Sequence, residues 1–209
     1  MNLPAFVQFL TDLPEENMKS ELMKAFIDRY GTSTEEIVMI ASPARINIIG
    51  EHIDYNGGKV FPAAINRYLY VLLRKRADSK IIYDDIRFPG ALEFNVTEPF
   101  RYRKENQYAN YLNGMLSVLQ KKGCALSSGF EALFFSKLPA GGGISSSAAL
   151  EIGFGRAVAE LFGQLDPEGV ATLGAGVAGI PGELQLEDVI DLDRGVVRLL
   201  DAVGVGDHE

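Results

Sequence analysis

Residues 138–149 read LPAGGGISSSAA, and the elements on either side of this stretch decide the predicted fold. Before it, the apolar run Phe130–Phe135 predicts a buried strand. After it, Leu150, Phe154 and Val158 lie at the spacing of one apolar helix face. A strand, a glycine-rich loop and a helix in this order predict an α/β (α+β) fold.

The rest of the chain predicts more elements of both kinds. Listed in chain order, they are a helix over residues 1–30 that Gly31 ends, a strand and then a loop over Val38–Ile49 with Pro43 interrupting, strands at Tyr68–Arg74 and Ile81–Tyr83, a turn at Pro89–Gly90, and a helix from Tyr108 to Leu119 that Gly123 ends.

The glycine-rich stretch has the chemistry of an anion site. Glycine lets backbone amides approach an anion closely, and the first-turn amides of a helix lack internal partners and carry the positive end of its dipole. The stretch therefore predicts a phosphate-binding loop, and Ser147 or a neighbour can offer a hydroxyl to Mg²⁺. The alternative is a glycine hinge followed by serine helix caps. The loop is not of the Walker A type, because no Gly-Lys-Ser/Thr follows.

A second polar cluster interrupts an apolar stretch around Gly50. Arg45, Asn47, Glu51, His52 and Asp54 lie within ten residues. Carboxylates and an imidazole can bind sugar hydroxyls by paired hydrogen bonds, and an arginine can stabilise a developing phosphoryl charge. For any one of these residues, the alternative is a solvated turn with a local salt bridge.

Together these segments resemble a known superfamily. SPARINIIGEHIDYNGG at Ser42–Gly58, running on to FPAAI at Phe61–Ile65, and LPAGGGISSSA at Leu138–Ala148 resemble the GHMP kinases, and the first segment narrows the resemblance to galactokinases. NYLNG, with Tyr111 and Gly114, resembles a stretch between the two. The resemblance covers about residues 20–163. It implies the N-terminal domain of a GHMP kinase, which is ribosomal protein S5 domain 2-like.

The resemblance also implies roles for particular residues. Arg45 would be catalytic, near the sugar C1 hydroxyl and the transferring phosphate, and Ser147 would bind Mg²⁺. The substrate-binding residues would be Glu51, His52, Ile53, Asp54 and Tyr111, and the ATP phosphates would be held by Gly141, Gly142, Gly143, Ile144, Ser145, Ser146 and Ser147. The implied reaction is transfer of the ATP γ-phosphoryl group to the C1 hydroxyl of galactose. One departure is Ala44, where the family usually has glycine; alanine is tolerable there unless φ is positive.

The resemblance ends near residue 163, and we expect two regions, 1–163 and 164–209. All 12 Phe and 8 Tyr lie at or before Phe162, and residues 164–209 contain no Lys, Ser, Asn or Met. The family's metal-binding glutamate, its catalytic aspartate motif and its C-terminal domain are expected to be missing. One hypothesis is that residues 164–209 are not native family sequence. The alternative is a divergent tail that forms a helix over residues 186–203.

Composition limits the other possibilities. The net charge of −8 argues against nucleic-acid or anionic-membrane partners. One cysteine excludes an internal disulfide and fits a reducing compartment, so we expect a cytoplasmic protein. The resemblance implies galactose and ATP as partners, and we expect a monomer. Two other functions stay open: a non-catalytic sugar- or nucleotide-binding protein, and an inactive fragment. The sequence does not distinguish galactose from N-acetylgalactosamine.

Overall fold

A computed structural model describes residues 2–49, 61–106, 108–138 and 146–163, and the backbone of 196–198. In chain order the elements are α1 (Leu3–Asp12), α2 (Glu15–Tyr30), β1 (Ile37–Ile49), β2 (Phe61–Lys75), β3 (Lys80–Asp85), β4 (Leu92–Asn95), a 3₁₀ turn (Lys104–Asn106), α3 (Ala109–Lys121), β5 (Phe130–Ser136), α4 (Ser146–Phe162) and β6 (Val196–Arg198). The strands form one sheet in the order β4-β3-β5-β2-β1-β6. Only β3 and β5 pair in parallel; the other neighbours are antiparallel. The predicted α/β (α+β) fold is confirmed.

Helices cover both faces of the sheet, and the alternation of side chains along the strands supplies a core to each. In β2, Val71 and Leu73 pack under α3 and α4, while Tyr70 and Leu72 pack under α1 and α2. Successive side chains of a strand point to opposite faces. Every residue of β5 is buried, as expected for a central strand covered on both sides.

Two predicted boundaries are wrong, both near a proline. The helix expected over residues 1–30 is two helices, because Leu13 is extended and Pro14 precedes α2. The loop expected after Pro43 is absent, since β1 continues to Ile49. The strand passes Pro43 at an irregularity: Pro43 pairs with Tyr68, but the next residue pairs with Ile65. Such bulges are among the few places in a sheet where proline is accommodated.

Other elements were missed or expected differently. The sequence did not predict β4, a four-residue edge strand. In β6, Val196–Arg198 pairs with β1 at Val38–Ile40, so the alternative of a helix is wrong for these three residues; the rest of 164–209 lies outside the described residues. No helix in the described part of the chain is both long and apolar enough to cross a bilayer.

The far end of the β1–β2 hairpin exposes apolar side chains. Ile48 is 55% exposed, Ile49 69% and Phe61 61%. Ile49 and Phe61 are cross-strand partners, so these two side chains form one patch, here called the hairpin patch. Contiguous exposed apolar surface of this kind favours association with other apolar surface.

We expect the double substitution Ile49→Thr and Phe61→Thr to reduce self-association of the purified chain. Threonine keeps strand propensity and removes apolar surface, so the free energy of unfolding should change little. Light scattering against protein concentration measures the effect. Tyr102→Thr is the control, because Tyr102 is strongly exposed outside the hairpin patch. Equal scattering by the wild type and the double variant would contradict the expectation.

Candidate functional site

Strands β1 and β5 finish, and β2 begins, on the same side of the sheet. There β1 ends at Ile49 and β2 begins at Phe61. Strand β5 finishes eight residues of β2 short of that level, since its last residue, Ser136, pairs with Leu69. The connections that follow β1 and β5 include much of the polar cluster and of the glycine-rich stretch, but residues 50–60 and 139–145 lie outside the described residues. This side of the sheet, where β1 and β5 finish, is here called the site edge.

Helix α4 points its N-terminus towards the site edge. Its Gly153 lies against Ser42 and Val71, and near its other end the Lys75 ammonium lies 5.1 Å from the centre of the Phe162 ring. The helix therefore runs in the direction of β2. A helix rises about 1.5 Å per residue and a strand about 3.3 Å. The seven helical residues from Gly153 back to Ser146 therefore cover the same length as about three residues of a strand. The first turn of α4 thus lies level with the distal part of β1, near Arg45.

This N-terminus suits an anion. The first turn of α4 contains no acidic side chain, so nothing there neutralises the positive end of the helix dipole. Ser146 is half-buried and Ser147 is exposed. Both predicted serines therefore lie in the first turn of a 17-residue helix, where free amides and a hydroxyl can be offered to a phosphate.

Arg45 reaches the same end of the sheet from β1. It is half-buried and its backbone pairs with Ala64. Its neighbour Ala44 is fully buried in the core under α3 and α4, so strand alternation turns the Arg45 side chain towards the other face. Arg45 and the α4 N-terminus thus share an edge but lie on different faces of β1. The backbone at Ala44 is extended, so alanine meets no left-handed conformation there.

Tyr111 also lies towards the site edge. It is the third residue of α3 and is 47% exposed. The preceding Tyr108 ring lies 6.1 Å from the Phe134 ring, close to the end of β5. The remaining predicted site residues lie outside the described residues: Glu51, His52, Ile53, Asp54, Gly141, Gly142, Gly143, Ile144 and Ser145.

The close packing of α4 on the sheet depends on a glycine. A Cβ added at Gly153 would lie 2.8 Å from Ser42 Cβ and 3.3 Å from Ser42 Oγ. Carbon atoms at van der Waals contact are about 3.5–4.0 Å apart, so no larger residue fits without moving α4 or β1. The sequence did not single out this glycine, because it lies inside a helical pattern where glycine carries no local signal.

We expect Gly153→Ala to destabilise the fold by about 1–2 kcal/mol, because overpacking outweighs the better helix propensity of alanine. Ser42→Gly removes the opposing Cβ and Oγ, and the double variant should recover part of the loss. Urea unfolding of the two single variants and the double variant gives the coupling free energy. Strictly additive effects would show that this contact does not set the helix position.

Glu151 is a titratable residue of α4 that the sequence reasoning missed. Its side chain is 2% exposed, and Oε2 has no hydrogen-bond partner among the described residues. Burial raises the pKa of the Glu151 carboxyl from 4.5 to about 7. The sequence feature that could have predicted this burial is a carboxylate inside the apolar run AALEIGF, one helical turn after Ser147. The Glu151 carboxyl is therefore partly protonated near neutral pH, which lowers the negative charge that it places close to the N-terminus of α4.

We expect Glu151→Gln to remove a pH dependence of stability. The folded pKa lies above the unfolded one, so the contribution of Glu151 is fully present below about pH 4.5 and is lost as the pH rises towards 7. The free energy of unfolding falls by about 3 kcal/mol over this range, since each unit of pKa difference corresponds to about 1.4 kcal/mol. Urea unfolding at pH 5 and pH 8 measures it, with exposed Glu16→Gln as the control. An unchanged difference between the two pH values in Glu151→Gln would refute this assignment.

Two family models and several curated proteins match parts of this chain. The family model described as GHMP kinases N terminal domain matches residues 110–185, and the model described as Galactokinase galactose-binding signature matches residues 24–75. The galactokinase of Clostridium beijerinckii is 42% identical over 123 residues, 58% of this chain and 31% of that protein. That of Enterococcus faecalis is 39% identical over 147 residues, 69% of this chain and 37% of that protein.

Solved structures show the same relationship. The crystal structure of Lactococcus lactis galactokinase complexed with galactose superposes with a TM-score of 0.71 at 36% identity, covering 78% of this chain and 44% of that one. Methanococcus jannaschii mevalonate kinase, at 23% identity and a TM-score of 0.58 over 66% of this chain and 45% of that one, shares the fold.

The fold and the helix N-terminus at the site edge define the N-terminal domain of a GHMP kinase. Within that superfamily, the N-terminal portion of this chain belongs to the galactokinase family. The chain spans about a third of the length of the curated relatives it matches, 31% and 37% for the two named above.

Proposed function

We propose that this chain carries the sugar- and nucleotide-binding part of a galactokinase. In the proposed reaction the C1 hydroxyl of galactose gives up its proton to water and its oxygen forms a bond to the γ-phosphorus of ATP. The bond from that phosphorus to the β–γ bridging oxygen breaks, and ADP leaves. The observation that supports the proposal is the first turn of α4, which has Ser146 and Ser147 and no acidic side chain and lies within the residues that the GHMP kinases N terminal domain model matches.

The proposed roles combine the position of α4 with the roles that the resemblance to galactokinases implies. The first-turn amides of α4, with residues 141–147, would hold the ATP phosphates, as helix N-termini do for anions. Glu51, His52 and Asp54 would hold sugar hydroxyls, with Ile53 and Tyr111 beside them. Arg45 would place positive charge near the transferring phosphoryl group. Phosphoryl transfer is accelerated mainly by such positioning and charge neutralisation.

Mg²⁺ fits this arrangement as a companion of the nucleotide. Among the described residues no group of three or more His, Cys, Asp or Glu could hold a metal ion on its own. Mg²⁺ commonly binds through substrate phosphates and one or two protein ligands. Ser147, exposed in the first turn of α4, offers one hydroxyl. The ion would neutralise charge on the phosphates.

Two measurements test the proposal. Calorimetry should show galactose binding that Asp54→Asn weakens at least tenfold, and MgATP binding that Ser147→Ala weakens while galactose binding is kept. Ser127→Ala is the matched control, since Ser127 is exposed beyond the end of α3, away from the site edge. Absence of galactose binding in the wild type would overturn the proposal. The same titration with N-acetylgalactosamine tests the choice of sugar.

A coupled assay for ADP release separates catalysis from binding. With galactose and MgATP, ADP should form in proportion to protein, and Arg45→Ala should lower the rate at least tenfold with little change in galactose affinity. Binding of both substrates with no ADP release would instead identify a non-catalytic sugar- and nucleotide-binding protein. The alternative of an inactive fragment predicts neither binding nor turnover.

A further inference from the structure

A cavity lies on the face of the sheet opposite α3 and α4. It has a volume of about 480 Å³ and opens between α1, α2 and the turn that follows β3. This volume lies within the range of small-molecule sites. Its apolar walls include Phe6 of α1, Ala25 of α2, Ile86 after β3 and Leu133 of β5. None of the residues assigned above to sugar or phosphate binding lines it.

The cavity exists because the α1–α2 layer does not reach across the whole sheet. The core under these helices is built on Met39, Tyr70, Leu72, Leu133 and Phe135, from β1, β2 and β5. Towards β3 the helices stop, and Phe88 in the following turn stays half-exposed. Apolar side chains therefore face an open space that no described segment fills.

The charges around the cavity are unequal. Asp84, 2% exposed, forms an ion pair with Arg29, which is 49% exposed. That pair is neutral overall. Asp28 also lines the cavity, is exposed, and forms no ion pair with another residue of the described part of the chain. Two carboxylates against one guanidinium leave one negative charge in excess beside an apolar wall.

We propose that this cavity binds a small organic cation with an aromatic body. The ring would pack against Phe6, Ile86 and Leu133, and the ammonium group would lie beside Asp28. A carboxylate ligand would meet the excess negative charge, and a neutral ligand would leave Asp28 without a partner, so the cation is favoured over both.

The test uses three probes with the same ring and different charge: phenethylammonium, 2-phenylethanol and 3-phenylpropionate. Each is titrated into the full chain and followed by calorimetry and by NMR shifts. We expect the cation to bind at least fivefold more tightly than the alcohol, and the carboxylate to bind most weakly. Asp28→Asn should abolish the preference of the cation over the alcohol. Equal affinities of the three probes, no binding, or an unchanged preference in Asp28→Asn would overturn the proposal.

A second variant tests the location. Ala25→Leu places a larger side chain at the cavity wall and keeps helix propensity, so it should weaken phenethylammonium binding at least fivefold. Ala5→Leu, on the exposed side of α1, is the matched control. Saturating galactose and MgATP should leave the affinity for the cation unchanged. Competition by either substrate, or equal effects of the two leucine variants, would place the cation elsewhere and overturn the assignment.

Discussion

The close contact of α4 with β1 at Gly153 and Ser42 is the constraint on which the rest of the site depends. A helix this near a strand cannot slide or rotate without collision, because packed interiors leave few voids. With its middle held there and Phe162 held near Lys75 and Phe130, the axis of α4 is fixed along β2. The helix N-terminus is then held at the site edge. An anion site made from backbone amides needs this kind of support, since its geometry is that of the helix itself.

The opposite layer is held by a buried charged network. Arg74 of β2 donates through Nε to Glu131 at 2.7 Å, through Nη1 to the carbonyl of Gly31 at 2.8 Å and through Nη2 to the carbonyl of Tyr30 at 3.1 Å. The Tyr30 hydroxyl donates to the carbonyl of Ala132. These bonds tie the C-terminal end of α2 to two strands. Buried charges are tolerable only when paired and hydrogen-bonded in this way. Because α2 is fixed over β2 and β5, part of the sheet next to β3 is left open. The cavity between α1, α2 and the turn after β3 forms there.

The two faces of the sheet therefore have different chemistry. The α3–α4 face is a closed apolar core in which Tyr83 contacts Phe130, Phe134 and Phe154. It positions a helix terminus without taking part in binding. The hairpin patch and the site edge, by contrast, extend past both helical layers, where the described chain supplies polar groups and exposed apolar surface together.

The sequence by itself determined the elements with strong local signals. Glycine-serine composition predicted the start of α4, apolar periodicity predicted α3 and β5, and Gly31 and Gly123 have the positive φ expected where a helix ends. The predicted anion loop lies outside the described residues and stays a prediction. The roles of Glu51, His52, Asp54 and residues 141–145 stay predictions. Only the tertiary structure decided that β1 runs through Pro43, that Gly153 must be small and that Glu151 is buried. Those features arise from strand register and from contacts between residues far apart in sequence. A local pattern of residue types therefore does not predict them.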